Sequence, residues 1–134
     1  MTLPKLIFAA IFAITALAGT WSALNAQTPA VTRVPLLDQD LSAAGRHGVQ
    51  ARADIGPGGE VAKHTHPGEE LSYIVEGTLQ LEVQGQPPRT LKAGESYFIP
   101  AGVVHAAKNV DKGVTKVLAT YVVEKGKPVA SPVN

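Results

Sequence analysis

The chain reads as a small all-β barrel, and three observations predict it. Past Arg46, helical periodicity gives way to apolar and polar residues in alternation, the mark of half-buried strands. Gly- and Pro-containing turns interrupt that alternation at short, regular spacing, as in a sandwich or barrel. The sequence also contains no cysteine, so no disulfide staples the domain and its core must supply the stability. In such a small domain this favours a closed or paired barrel that covers its sheet edges.

The elements follow in order. Residues 27–46 are polar and proline-punctuated, and read as an extended arm containing at most one edge strand, with a turn at Ser42–Gly45. Val49, Ala51, Ala53 and Ile55 alternate with polar partners until Gly56-Pro57-Gly58-Gly59 turns the chain. Leu71, Tyr73 and Val75 alternate up to Gly77, and Leu79, Leu81 and Val83 up to a hairpin loop at Gln84-Gly85. Leu91 leads into a turn at Ala93-Gly94, and Tyr97-Phe98-Ile99 forms a fuller apolar strand stopped by Pro100-Ala101-Gly102. Val114 to Val123 is the longest β-branched stretch. Residues 47–124 make up the barrel, and residues 125–134, with two prolines, read as a loosely ordered tail.

The first 26 residues stand apart. Lys5 is their single charged residue, an apolar run extends from Leu6 to Ala18, and Leu24-Asn25-Ala26 precedes Gln27. This is the pattern of a cleaved export signal, which places the domain in the periplasm or outside the cell. An uncleaved anchor is the competing reading, because about 20 apolar residues span a bilayer. Thr15, Thr20, Ser22 and Asn25 dilute the stretch and favour cleavage. The 134 residues suit one domain, and 12 Lys and Arg against 11 Asp and Glu argue against a basic groove for nucleic acid. Without cysteine, thiolate metal sites and Cys nucleophiles are excluded.

Chemistry concentrates at the histidines. His64-Thr65-His66 places two imidazoles on one face of a strand, roughly 6.6 Å apart along the backbone at about 3.3 Å per residue. Both can converge on one ion at about 2.1 Å. Pro67-Gly68 turns the chain next, and either Glu69 or Glu70 can swing back to that ion. Glu69 shares a face with Leu71, Tyr73 and Val75, whereas Glu70 lies opposite with Ser72, and alternation leaves the choice open. His105 follows the turn at Pro100–Gly102, at the start of a strand inside the same barrel. Three imidazoles and a carboxylate suit a divalent transition metal: Mn, Fe, Co, Ni, Cu or Zn. His47, between Arg46 and Gly48, reads as a solvent-exposed loop residue.

The spacing Gly58-x5-His64-x-His66-x3-Glu70-x6-Gly77 resembles the first motif of the cupin superfamily. Gly94-x5-Pro100-x-Gly102-x2-His105-x3-Asn109 resembles the second, and every position of both is filled. The spacer from Thr78 to Ala93 is similar to that of small microbial single-domain cupins. The resemblance implies a conical antiparallel barrel (a double-stranded β-helix, jelly-roll-like), often dimerised through its sheets. It implies His64, His66, Glu70 and His105 as metal ligands, so choosing Glu70 over Glu69. Gly58, Gly77, Gly94 and Gly102 match its turn positions, Pro100 a rigid turn, and Asn109 a structural position.

Cupins include dioxygenases, isomerases, decarboxylases, oxalate-degrading enzymes, storage proteins and ligand sensors, so fold alone does not decide function. With all four ligand positions filled, the leading expectation is a metal-dependent, oxygenase-like enzyme acting on a small polar substrate, with Thr65, Glu69 and Tyr73 near enough to shape its pocket. The alternatives are a non-catalytic binder of a metal or small ligand, and superoxide dismutation as in some germin-like cupins.

Overall fold

The computed structural model describes residues 30–134, and the export segment read at residues 1–26 lies outside the described residues. Among the described residues there is no helix, so none long and apolar enough to cross a membrane. Ten strands build the domain: β1 Val31–Asp40, β2 Arg46–Ile55, β3 Glu60–Thr65, β4 Gly68–Glu76, β5 Thr78–Val83, β6 Arg89–Lys92, β7 Ser96–Ile99, β8 His105–Asn109, β9 Thr115–Glu124 and β10 Ser131–Pro132. They form two five-stranded sheets, ordered β1-β2-β9-β4-β7 and β10-β3-β8-β5-β6. Every pairing is antiparallel.

The core lies between the sheets. Leu79, Leu81 and Val83 enter it from β5, Ile74 from β4, Val117 from β9, with Ile55, Leu91 and Ile99 completing the cluster. Each such side chain contributes about 1.5–3 kcal/mol by leaving water. On β4 the apolar alternation marks the outer face: Leu71, Tyr73 and Val75 are 50%, 45% and 48% exposed, while Glu70, Ser72 and Ile74 point inward. Phe98, across from Leu71 on β7, is also exposed. The inner face of β4 is thus polar where the site sits and apolar below it.

The four motif glycines all take positive φ, as their turn positions require. At Gly77 two constraints coincide. Its φ is 82°, and a Cβ there would meet Thr115 Oγ1 at 2.4 Å. Thr115 is held in turn by Asn109, whose role the sequence left unspecified. Asn109 is 1% exposed. Its amide donates to the carbonyls of Ile55 and Gly113, both at 2.8 Å. Its oxygen accepts from Asp111 N and Thr115 Oγ1, both at 2.7 Å. All four hydrogen-bonding positions of the side chain are filled, which ties the ends of β2, β8 and β9 together.

Two expectations require correction. The extended edge strand read within residues 27–46 is β1, which pairs with β2 from Val31↔Ile55 to Asp40↔His47, its register shifting between Pro35 and Leu37. Pro35 has no N–H, and an edge strand accommodates a proline beside such a bulge. The segment 125–134 is not loose. Ser131 and Pro132 pair with Thr65 and His64 on β3, and Val133 N donates to Lys63 O at 3.0 Å. The free edge of β3 offers the partners, and the prolines cost only their own donors.

His47 is not a loop residue either; it lies in β2 opposite Asp40, with its side chain 24% exposed. Its Nδ1 lies 2.9 Å from Asp40 Oδ1, and its Nε2 contacts Asp38 Oδ1. Both ring nitrogens donate at once only in the imidazolium form. The bonds to Asp40 and Asp38 accordingly raise the His47 pKa above that of a free imidazole. Because the native value is the raised one, this contact stabilises fully below about pH 6.5 and is lost as pH rises through the native pKa. The His47 ring resonances, followed by NMR, should titrate above the free value, and in an Asp38→Asn, Asp40→Asn variant should return toward it. Unchanged titration in that variant would refute the pairing.

Candidate metal centre

The site draws on both sheets. His64 lies on β3, directly across from His105 at the start of β8. Glu70 comes from β4 in the opposite sheet, paired with Tyr121 of β9 and Ile99 of β7. His66 occupies the link between β3 and β4, rather than the strand that would set it beside His64 by simple alternation. Gly68 makes the crossing feasible, since a Cβ at that position would meet Val122 O at 2.0 Å. The chain therefore lies flat on β9 and enters β4 with Glu70, not Glu69, facing inward.

The four side chains converge as expected. One ligand atom from each of His64, His66, Glu70 and His105 lies within 4.8 Å of all the others. The ring centroids of His64 stand 4.8 Å from His66 and 4.2 Å from His105, and those of His66 and His105 stand 5.0 Å apart. His66, Glu70 and His105 are buried, and His64 is half-buried.

The donor chemistry follows from the ring contacts. Each Nδ1 faces a backbone carbonyl: Ala62 O at 2.8 Å from His64, Val129 O at 2.6 Å from His66, and Val103 O at 3.0 Å from His105. A carbonyl only accepts, so each Nδ1 carries a proton; Nε2 then holds a lone pair in the neutral ring and donates in the protonated one. His105 Nε2 and His66 Nε2 each lie 3.0 Å from Glu70 Oε2. His66 Nε2 is buried and makes no hydrogen bond, despite that proximity. Lone pairs of neutral rings facing a carboxylate oxygen repel unless a cation, a proton or a metal ion, sits among them. A donor set of three imidazoles and one carboxylate, with an orphaned buried nitrogen, fits a divalent transition metal.

The other carboxylate oxygen is fully engaged. Glu70 Oε1 accepts from Ser72 Oγ at 2.6 Å and from Tyr97 Oη at 2.9 Å. Burial works against the Glu70 charge, but the His105 and His66 rings and the Ser72 hydroxyl outweigh it, so the carboxyl stays ionised well below its usual range. Burial, then the His105 and His66 neighbours, holds the pKa of His64 below its ordinary value, keeping the ring neutral. For His105 burial pulls downward too, yet the hydrogen bond to Glu70 and that to Val103 O raise it overall. Burial and the Glu70 charge push the phenols of Tyr97 and Tyr121 up, so both keep their protons.

Beside this cluster lies a cavity of about 40 Å³, lined by Arg33, His64, Glu70, Tyr97, His105 and Tyr121 with apolar residues of the barrel. At about 10–15 Å³ per water, such a space takes a few heavy atoms. Thr65, Glu69 and Tyr73, expected to shape the pocket, do not line it. Tyr73 points outward by the β4 alternation. Sequence reasoning missed Tyr97, Tyr121, Arg33 and the Val129 carbonyl, all brought in by register across strands; Ser72 alone was signalled, two residues from Glu70 on the same face.

Comparison with known proteins identifies the family and the fold. The family described as Cupin domain (Cupin_2) matches residues 51–121. Germin-like protein 1-1 of Oryza sativa subsp. japonica is 32% identical over 111 residues, covering 78% of this chain and 51% of that protein. Germin-like protein subfamily 2 member 2 of Arabidopsis thaliana is 37% identical over 76 residues, covering 53% of this chain and 35% of that protein. The chain thus spans about half or less of the length of these curated relatives. Among solved structures, a cupin superfamily protein from Desulfitobacterium hafniense DCB-2 superposes with a TM-score of 0.62 at 20% identity, covering 75% of this chain and 84% of that one. Oxalate oxidase in complex with the substrate analogue glycolate gives a TM-score of 0.64 at 24% identity, covering 80% of this chain and 57% of that one. At these identities the structural likeness is one of fold.

The Val129 carbonyl gives the C-terminal segment a job that can be tested. Ending the chain after Lys127 removes the acceptor that holds the His66 ring and should weaken Co(II) affinity about 10–100-fold, as is usual for a lost outer partner of a ligating histidine. The far-ultraviolet circular dichroism should keep its β signature. Unaltered affinity, measured by competition with a chromophoric chelator, would show that the tail does not orient His66.

Proposed function

Because this chain belongs to the cupin family, we propose that it is an exported metal-dependent enzyme, oxygenase-like in its chemistry, that acts on a small polar substrate. The observation that carries the reading is the convergence of three Nδ1-protonated imidazoles and the ionised Glu70 on one buried point. His64, His66, Glu70 and His105 would hold the ion. When bound, a redox-active ion supplies Lewis acidity and an electron route to dioxygen.

The remaining chemistry belongs to the protein. Ser72 and Tyr97 donate to Glu70 Oε1 and so leave Oε2 as the free ligand atom. The backbone carbonyls of Ala62, Val129 and Val103 keep the protons on the Nδ1 atoms and the rings oriented. Ile55, Leu79 and Val117 give the cavity apolar walls, and a less polar surrounding strengthens the charge interactions beside them. The size of the cavity favours a substrate of few atoms. It also suits superoxide, so dismutation is the second reading; a binder without turnover is the third. Export rests on the apolar run and the Leu24-Asn25-Ala26 site of residues 1–26.

Purified without added metal, the protein should carry iron, manganese or copper near one equivalent by elemental analysis, and consume oxygen with small diketones, enols, catechols or oxalate. Superoxide decay is followed in the same sample. A redox-inert, slowly exchanging ion would sink the oxygenase reading. His64→Ala and His105→Ala should each lose the metal, and full occupancy in either would overturn the site.

The outer face of β4 and β7 suggests how the chain assembles. Leu71, Tyr73, Val75 and Phe98 form one exposed apolar surface, of a kind that marks an interface. We propose that two copies pair through it. Light scattering after size exclusion should give a dimer, and a Leu71→Ser, Phe98→Ser variant a monomer; a wild-type monomer at high concentration would contradict the pairing.

A further inference from the structure

Arg33 is the one basic side chain that lines the inner cavity. Its position follows from register: Arg33 pairs with Ala53, and Ala53 with Val117, so its row runs across β1, β2 and β9. Arg33 itself is exposed, which puts the guanidinium at the mouth of the cavity, above the buried apolar Ile55, Leu79 and Val117. Elsewhere the basic residues find acids. Arg52 forks onto Asp54 at 2.7 and 2.8 Å, and Lys108 and Lys116 bind Glu60 and Glu76 at 2.6 Å each. Among the described residues Arg33 makes neither a salt bridge nor a side-chain hydrogen bond.

The nearest acid in the cavity is not available to it. Glu70 is already committed to Ser72, Tyr97 and His105. Tyr121, whose ring packs on His66 with centroids 4.7 Å apart, presents a protonated hydroxyl to the same space with no hydrogen-bond partner among the described residues. The Arg33 charge is close enough to oppose the upward push of burial and Glu70 on that phenol. Two donors, Arg33 at its mouth and Tyr121 within, therefore line one small space with His64, and neither has a protein acceptor among the described residues.

We propose that Arg33 is the specificity-determining residue of this site and that it selects a small carboxylic acid, whose carboxylate it grips while Tyr121 donates a further hydrogen bond. The proposal rests on the reading of the four-ligand centre given above and names its substrate class. The planar fork of a guanidinium matches a carboxylate through two parallel hydrogen bonds. The charge balance points the same way: a divalent ion on neutral imidazoles and one carboxylate leaves one positive charge in excess, and Arg33 adds a second. A short dicarboxylate answers both. The cavity itself takes a few heavy atoms, so one end of the acid enters it and the rest lies at its mouth beside Arg33.

Isothermal titration of the full chain with malonate and succinate tests this, with malonamide as the neutral isostere and inorganic phosphate as the competing anion. Metal content is measured on every sample. Malonate or succinate should bind the wild-type protein, malonamide should not, and phosphate should bind more weakly. Arg33→Gln should weaken the acid about 10–100-fold at unchanged metal content and melting temperature, Arg33→Lys should recover only part of the loss, and Tyr121→Phe should weaken it severalfold. Binding within twofold of wild type in Arg33→Gln, equal binding of malonamide, or no binding of either acid to the wild type would overturn the proposal. If acid binding depends on Arg33 while no metal is found, the metal reading fails and this one stands. If the metal is present and acid binding ignores Arg33, this one fails alone.

Discussion

A single ionised carboxylate, Glu70, lies 3% exposed between two β-sheets, and the architecture around it is the consequence of keeping it there. Burying such a charge costs several kcal/mol unless its lone pairs are met. Ser72 and Tyr97 meet one oxygen, and His105 and His66 crowd the other. The histidines in turn give their Nδ1 protons to backbone carbonyls, so a proton or a metal ion must sit at Nε2 before His105 or His66 can attract Glu70. The cluster is satisfied on every side but its centre, and a cation at that centre reconciles all four groups. An ion held there would couple its binding to folding, since it would relieve repulsion that the folded chain imposes.

The barrel holds this arrangement by register. His64 faces His105 across β3 and β8, Glu70 faces Tyr121 across β4 and β9, and Gly68 lets the chain cross between the sheets. At the far end, Gly77, Asn109 and Thr115 close the barrel with hydrogen bonds that no apolar residue could replace. The C-terminal strand β10 covers the exposed edge of β3 and places the Val129 carbonyl on His66. The N-terminal strand β1 covers the edge of β2 and brings Arg33 to the cavity. Both terminal strands thus protect an edge and also complete the site.

Much of this was legible in the residues. Period-two alternation located the strands that carry Leu79, Leu81 and Val117, and the motif spacing selected the four side chains that converge. The difficulty at β4 was physical. Alternation reports which residues share a face but not which face is buried, and here the apolar one is outside. Glu70 instead of Glu69 was therefore accessible from resemblance and not from periodicity. The C-terminal segment misled because its prolines read as irregular chain, whereas an open sheet edge recruits such segments through backbone groups that composition does not reveal. Arg33, Tyr97 and Tyr121 reach the site from three different strands, a proximity that depends on pairings invisible in one dimension.

The central claim is that His64, His66, Glu70 and His105 together bind one ion. X-ray absorption on the Co(II)-loaded protein tests it most directly. The account predicts a first shell of nitrogen and oxygen only, with outer-shell scattering from three imidazoles that falls to two in His105→Ala. A spectrum with fewer than three imidazoles, or one that His105→Ala leaves unchanged, would contradict it.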